Sequence, residues 1–307
     1  MAGALLTVES WPALPLAEWR DTYATLHMWT QIVGKTRLAL SPRENHWWHT
    51  ALYMTACGLT TSPMPYGSGT LEIGFDFLRH RLVMETSEGR RRELALSARS
   101  VAGFYREYRS ALEELGARVR MWPVPCEVEN PIPFVADREH ASYEPAQARR
   151  FWRVLVQADR ALERFRGRFR GKASPVHFFW GSFDLAATRF SGRPAPERPG
   201  ADRITREAYS HEVISAGFWP GGGAVPEPAF YAYAAPEPAG FREARVLPAA
   251  ARYEPALSEF ILPYEAVRLS PSPEDEVLAF LQSTYEAGAN LGRWDRAALD
   301  RPPEAWG

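Results

Sequence analysis

Lysine is almost missing from this chain. Of 36 basic residues, only Lys35 and Lys172 are lysine and the rest are arginine. Against so strong a preference, each surviving lysine is a candidate for a role that needs a compact ammonium. Cysteine is just as scarce. Cys57 and Cys126 cannot build a disulfide framework, so a reducing, cytoplasmic setting is expected, with both thiols acting as small buried apolar groups. No apolar run is long enough to span a bilayer. The first residues, MAGALLTVESWPALPLAEW, lack a basic start and carry Glu9 and early prolines, which argues against a secretory leader. Neither sign of charge is in excess. A net charge of -1 gives no reason to expect nucleic acid or an anionic membrane as partner. Also absent are a Walker phosphate loop, a dinucleotide-binding glycine fingerprint, a nucleophile-elbow serine and a zincin helix. The glycines at 221–223 sit between prolines and read as a turn rather than a phosphate cradle.

What is present is a globular composition over 307 residues, with 11 tryptophans to bury. Helical periodicity predicts helices over Pro15–Val33 (closed by Gly34), Val101–Leu115, Ala146–Phe169 and Pro273–Leu291. Strands are expected at Thr36–Leu40, His46–Cys57, Leu71–Phe77, Arg81–Thr86, Arg92–Leu96, Val176–Thr188, Ala208–Phe218, Ala229–Ala235 and Glu259–Leu269. Four prolines between 117 and 143 forbid a helix there and mark an extended connector.

The elements recur in order. HWWHTALYMTACGLTTSP (46–63) aligns without a gap on HFFWGSFDLAATRFSGRP (177–194), and the two Gly-Lys pairs fall at equivalent places. The expected fold is therefore α+β: an internally duplicated α-β4-α unit with antiparallel sheets covered by helices. The halves are 1–118 and 144–307, joined by the connector 119–143 into one compact unit.

If 177–188 is one strand, its faces alternate. His177, Phe179, Leu185 and Ala187 then pack under helices, while Trp180, Ser182, Asp184 and Thr188 share a mixed face with His49 and Tyr53 of the first half. On that reading His177 and Asp184 point to opposite sides. Aromatic walls with a few polar groups describe a ligand site, and they equally describe the wetted face of a sheet. The candidate catalytic residues are Lys172, His177, Asp184, His211 and Glu212. The candidate ligand-binding residues are Lys35, His49, Tyr53, Trp180, Arg189 and Arg193, the last two as a forked clamp for an anion. Lys35 and Lys172 could alternatively cap helix ends, where arginine would serve as well. H-x-x-H at 46–49 on a strand is no chelate, and no metal-ligand spacing stands out.

The stretches HMWTQIVGK, HWWHTALYMTACGL, SPVHFFWGSFDLAATRFSGR, YSHEVISAGFWPGG and FYAYAAPEP together resemble the bacterial family catalogued as domain of unknown function 5996. The resemblance runs from about Trp11 to Trp294. It implies a complete member of that family and carries no activity or cofactor with it.

The expectation is a protein that binds a small anionic or aromatic molecule in a cleft between two related halves. It would be compatible with lysine or histidine acid–base chemistry. The alternatives are a non-catalytic protein-interaction role and, third, a metal-dependent hydrolase or oxygenase.

Overall fold

Helix α1 (Leu16–Leu40) runs past the glycine at which its periodicity predicts an end. The computed structural model, which describes residues 9–222, 225–302 and 304, shows why. A Cβ on Gly34 would stand 2.3 Å from the ring of Trp180. The glycine serves close packing inside the helix rather than termination, and the strand expected at Thr36–Leu40 is its last turns. Trp19, Leu26, Trp29, Ile32 and Val33 are all buried, so α1 is a central helix covered on several sides. Most of the N-terminal stretch read for a leader, and Gly223 of the glycine turn, lie outside the described residues.

The strand expected at His46–Cys57 is also replaced. Asn45–Thr50 forms a 3-10 turn in which His46 and Trp47 have φ of 58° and 63°. Two successive non-glycine residues in the left-handed region cannot continue a strand. A meander follows: β1 (Tyr53–Met54), β2 (Gly58–Thr60), β3 (Met64–Tyr66), β4 (Gly69–Asp76), β5 (Arg81–Thr86) and β6 (Arg91–Ala95). The sheet order is β1-β2-β4-β5-β6, antiparallel, with β3 added on β4. Leu71, Ile73 and Phe75 of β4 are buried, as alternation requires. Helix α2 (Val101–Glu114) follows, its N-terminus capped by the Ser100 hydroxyl accepting from the Gly103 N–H. Residues 116–144 then run without helix or strand.

The second half opens with α3 (Pro145–Gly167) and continues through β7 (His177–Phe179), β8 (Asp184–Pro194), α4 (Arg203–Ala208), β9 (His211–Trp219), β10 (Ala229–Ala235), β11 (Arg252–Glu254), β12 (Glu259–Pro263), α5 (Tyr264–Arg268), α6 (Pro273–Leu291) and α7 (Arg296–Leu299). The sheet order is β11-β12-β10-β9-β8-β7, all antiparallel. Helix α3 packs on β8 and β9, and α6 on β9 and β10. The single strand expected at Val176–Thr188 is two strands joined by a reversal at 180–183, where Phe183 has φ of 62°.

The fold is thus α+β, with two antiparallel sheets flanked by helices, and each half runs helix, meander, helix. The sheets meet edge to edge: the Leu52 N–H donates to the Phe178 carbonyl (2.9 Å) and the Phe178 N–H to the Leu52 carbonyl (2.8 Å). The ungapped pairing of His46 with His177 does not hold in space, because the first lies in a 3-10 turn and the second in β7. One apolar core extends from Leu14 to Trp294 and draws on both halves. No helix among the described residues is long and apolar enough to cross a membrane.

Candidate functional site

The second sheet has one covered face and one open face. Leu185 and Ala187 of β8, Ile214, Ala216 and Phe218 of β9, and Phe230 and Ala232 of β10 are buried on the helix side. The other face carries Asp184, Ala186 and Thr188; Ser215, Gly217 and Trp219; Tyr231 and Tyr233; and Glu259. Along its centre the residues are small, and aromatic rings rise around them. Trp48 of the 3-10 turn and Tyr209 just after α4 close over part of it. The result is a hollow of about 370 Å³. It lies over the second sheet, and of the described residues of the first half only His46 and Trp48 join its wall.

Asp184 is the polar centre of this hollow, at 6% exposure. Its carboxylate accepts hydrogen bonds from the Ser182 hydroxyl and from the Tyr231 phenol. Tyr231 reaches it across the intervening strand because that strand carries Gly217, where a Cβ would lie 2.5 Å from the phenol oxygen. Burial pushes the Asp184 carboxyl upward, and its two donors oppose the shift. Glu259 is pushed up to about 7 by burial and by the charge of Asp184. Tyr23 of α1 is pushed up to about 12 by burial and the same charge. Beside these, the Thr188 and Ser215 hydroxyls pair at 2.9 Å, as do the phenols of Tyr209 and Tyr233. Among the described residues, no lysine or arginine lines the hollow.

At the β8 end beyond Thr188, His46 lines the hollow and meets Lys172. The Nδ1 of His46 is 3.2 Å from the carbonyls of Glu207 and Ala208, and its Nε2 is 2.8 Å from the Lys172 ammonium. Only one tautomer satisfies both sides: Nδ1–H donates to the carbonyls and Nε2 accepts from the ammonium. Burial, then the lysine charge, lowers the His46 pKa and keeps the ring neutral. The ammonium also lies 4.8 Å from the Phe190 ring centre and 5.4 Å from that of Trp48. The His211 ring stands edge-on to His46 at 5.7 Å.

The expected site residues are therefore dispersed. Asp184 lines the hollow, and Lys172 and His211 touch His46 beside it. The reversal at 180–183 corrects the parity of His177. The register His177↔Ala186 and Phe179↔Asp184 puts His177 on the same side of the sheet as Asp184. It is nevertheless enclosed by Trp48, Tyr53 and Phe179 at 1% exposure, with neither ring nitrogen bonded. Burial, with Arg37 and Arg166 nearby, lowers its pKa to about 3.

The arginine clamp is overturned. Arg189 faces the helices at 1% exposure, its guanidinium 3.4 Å from the Phe165 ring centre and 4.3 Å from that of Tyr285, and it donates to the Phe165 carbonyl. Arg193 pairs with Glu212 at 2.6 Å and donates to the carbonyls of Gly292 (2.6 Å) and Arg293 (3.2 Å) at the end of α6. Both members of that pair are therefore used in tying β8 and β9 to α6. Lys35, in mid-helix rather than at a helix end, is 8% exposed with its ammonium 5.6 Å from the Trp180 ring centre. Trp180 donates its indole N–H to the Thr50 carbonyl at 2.7 Å. His49 is buried and accepts from the Glu44 N–H, and Tyr53 lies under Arg37 at 5.3 Å. None of these six ligand candidates lines the hollow.

Sequence reading passed over Glu259, Tyr231, Tyr233 and Trp219. One signal was available: the alternation in AFYAYAA places Tyr231 and Tyr233 on one face of β10. Among the described residues, no group of three or more histidine, cysteine, aspartate and glutamate side chains is placed to hold a metal ion. Neither curated proteins nor solved structures match the chain. A family-level match does exist, extends over residues 11–301, and takes in both sheets and the hollow: the chain belongs to the family of unknown function DUF5996.

Proposed function

We propose that this protein binds a small organic cation, an amine with an apolar body, in the hollow on the open face of the second sheet. The observation that carries this reading is the composition of the lining. A buried aspartate and a second carboxylate sit among aromatic rings, with no lysine or arginine side chain among the described lining residues to neutralise them. Aromatic faces and a carboxylate together favour an ammonium over an anion. The earlier expectation of an anionic ligand loses its support with the removal of Arg189 and Arg193 from the site. On this reading the two halves are related copies of a unit of helix, six-stranded antiparallel sheet and helix, and the hollow lies over the second sheet. The free thiols Cys57 and Cys126 support a cytoplasmic setting.

A second reading, proton transfer, is favoured by Glu259 alone. A carboxyl that titrates at about 7 beside a second carboxylate can both take and release a proton near neutral pH.

The test is calorimetric titration with octylamine, octanol and octanoate, which share an apolar body and differ in charge. Octylamine should bind and octanoate should not. Asp184→Asn should weaken the amine by about 2 kcal/mol, roughly thirtyfold. Preference for octanoate, or indifference of the amine to Asp184→Asn, would discard the proposal.

A further inference from the structure

The hollow is electrically asymmetric along β8. Asp184 stands at one end of the strand's open face and Phe190 lies six residues further on, about 20 Å along an extended strand. The Lys172 ammonium rests over Phe190 and Trp48 and on the Nε2 of His46, all three of which line the hollow. No carboxylate of the described residues lies within ion-pair distance of it. An ammonium has three hydrogens to donate, and His46 takes one. The backbone adds a second observation. His46 holds φ of 58° and Trp47 of 63°, and a histidine kept in this region needs its surroundings to impose the conformation. The bonds from its Nδ1 to Glu207 and Ala208 do so, and the outcome is an imidazole that fixes the lysine head at the edge of the hollow.

We infer that the ligand is an elongated zwitterion, with its ammonium at Asp184, an apolar chain over Ala186, Ser215 and Thr188, and an anionic group at Lys172. The inference rests on the reading of the hollow given above and adds the second charge and the length. Lysine suits this end because its compact, rotatable head can keep His46 and still meet an anion. The plain role for Lys172, neutralising the carbonyl end of α3, does not account for its seat on His46, since Arg189 already donates to the Phe165 carbonyl there.

The experiment compares ω-amino acids of increasing chain length with alkylamines of matching length, by calorimetry on the full chain. Short members of the two series should bind alike. Once the chain spans the hollow, the amino acid should bind five- to tenfold tighter than the amine, a gain about that of one ordinary hydrogen bond. Lys172→Met should erase the gain and Lys172→Arg should lose most of it, because a planar guanidinium cannot keep the His46 contact and meet the anion from the same place. Both changes fall at an exposed position, and unchanged melting temperatures would verify the fold. Replacing the carboxylate with a phosphate distinguishes the anion: whichever gains more from Lys172 names it. If no chain length separates the two series, or if Lys172→Met leaves the gain intact, the zwitterion is wrong. The cation reading then stands or falls separately on Asp184→Asn.

Discussion

The phenol of Tyr231 donates a hydrogen bond to the carboxylate of Asp184 from two strands away. The strand between them lets it through because residue 217 has no side chain. Asp184 is thereby held by two hydroxyls in a place where water reaches it poorly, and the charge of the hollow depends on that arrangement.

Gly217→Ala should break it. The added Cβ would lie 2.0 Å from the Leu185 carbonyl and 2.5 Å from the Tyr231 phenol oxygen, and the first of these is backbone that cannot step aside. A stability loss of about 1–3 kcal/mol is expected in urea unfolding. Tyr231→Phe removes only the donor, should cost about 1–3 kcal/mol, and should raise the Asp184 pKa further. Equal amine affinity in wild type and Gly217→Ala would show that the contact does not organise the hollow.

Glu259 gives the site a pH signature. Its folded pKa of about 7 lies above the ordinary 4.5, so between these values the native state holds more proton than the unfolded chain. The stability it contributes is fully present below pH 4.5 and is lost as pH rises through about 7. Subtracting the unfolding free energy of Glu259→Gln from that of wild type isolates this component. The difference should fall across the window and level off above it, whereas a flat difference would place the Glu259 carboxyl in ordinary solvent.

His177 works in the opposite sense. With a folded pKa of about 3 against 6.5, it contributes stability above pH 6.5 that is lost as pH falls towards 3. His177→Phe should lessen the acid sensitivity. It should also be neutral or stabilising at pH 7, because two buried nitrogens without partners are removed. A large destabilisation at neutral pH would mean that the imidazole has a partner in solution.

Gly34→Ala places a methyl against the Trp180 ring inside a packed core. Overpacking of about 1–3 kcal/mol is expected, where helix propensity alone would predict a small gain. Thermal melting decides between the two signs.

Arg189→Met should lower stability by removing the guanidinium that donates to the Phe165 carbonyl and stacks on Phe165 and Tyr285, while amine affinity stays within error of wild type. A change in affinity would return the residue to the ligand site.

Much of the architecture was legible in the chain itself. Helix α6 runs from Pro273 to Leu291 and β10 from Ala229 to Ala235, the bounds their sequence pattern predicts. In both, the period of the apolar residues and the flanking proline or glycine act within a few residues of each other. Asp184 and Thr188 also fall together on one mixed face, because alternation is a local property of a strand. Contacts between residues distant in sequence decided the remainder. Gly34 reads as a helix stop until Trp180 occupies the space beside it. His177 reads as opposed to Asp184 until the chain reverses at Phe183 and turns it over. Arg189 reads as an anion clamp until α3 and α6 close over it with Phe165 and Tyr285. The hollow depends on Tyr231 and Gly217 lying abreast with Asp184 two residues along on the next strand, and strand register is set by sheet packing, which no single stretch of sequence encodes.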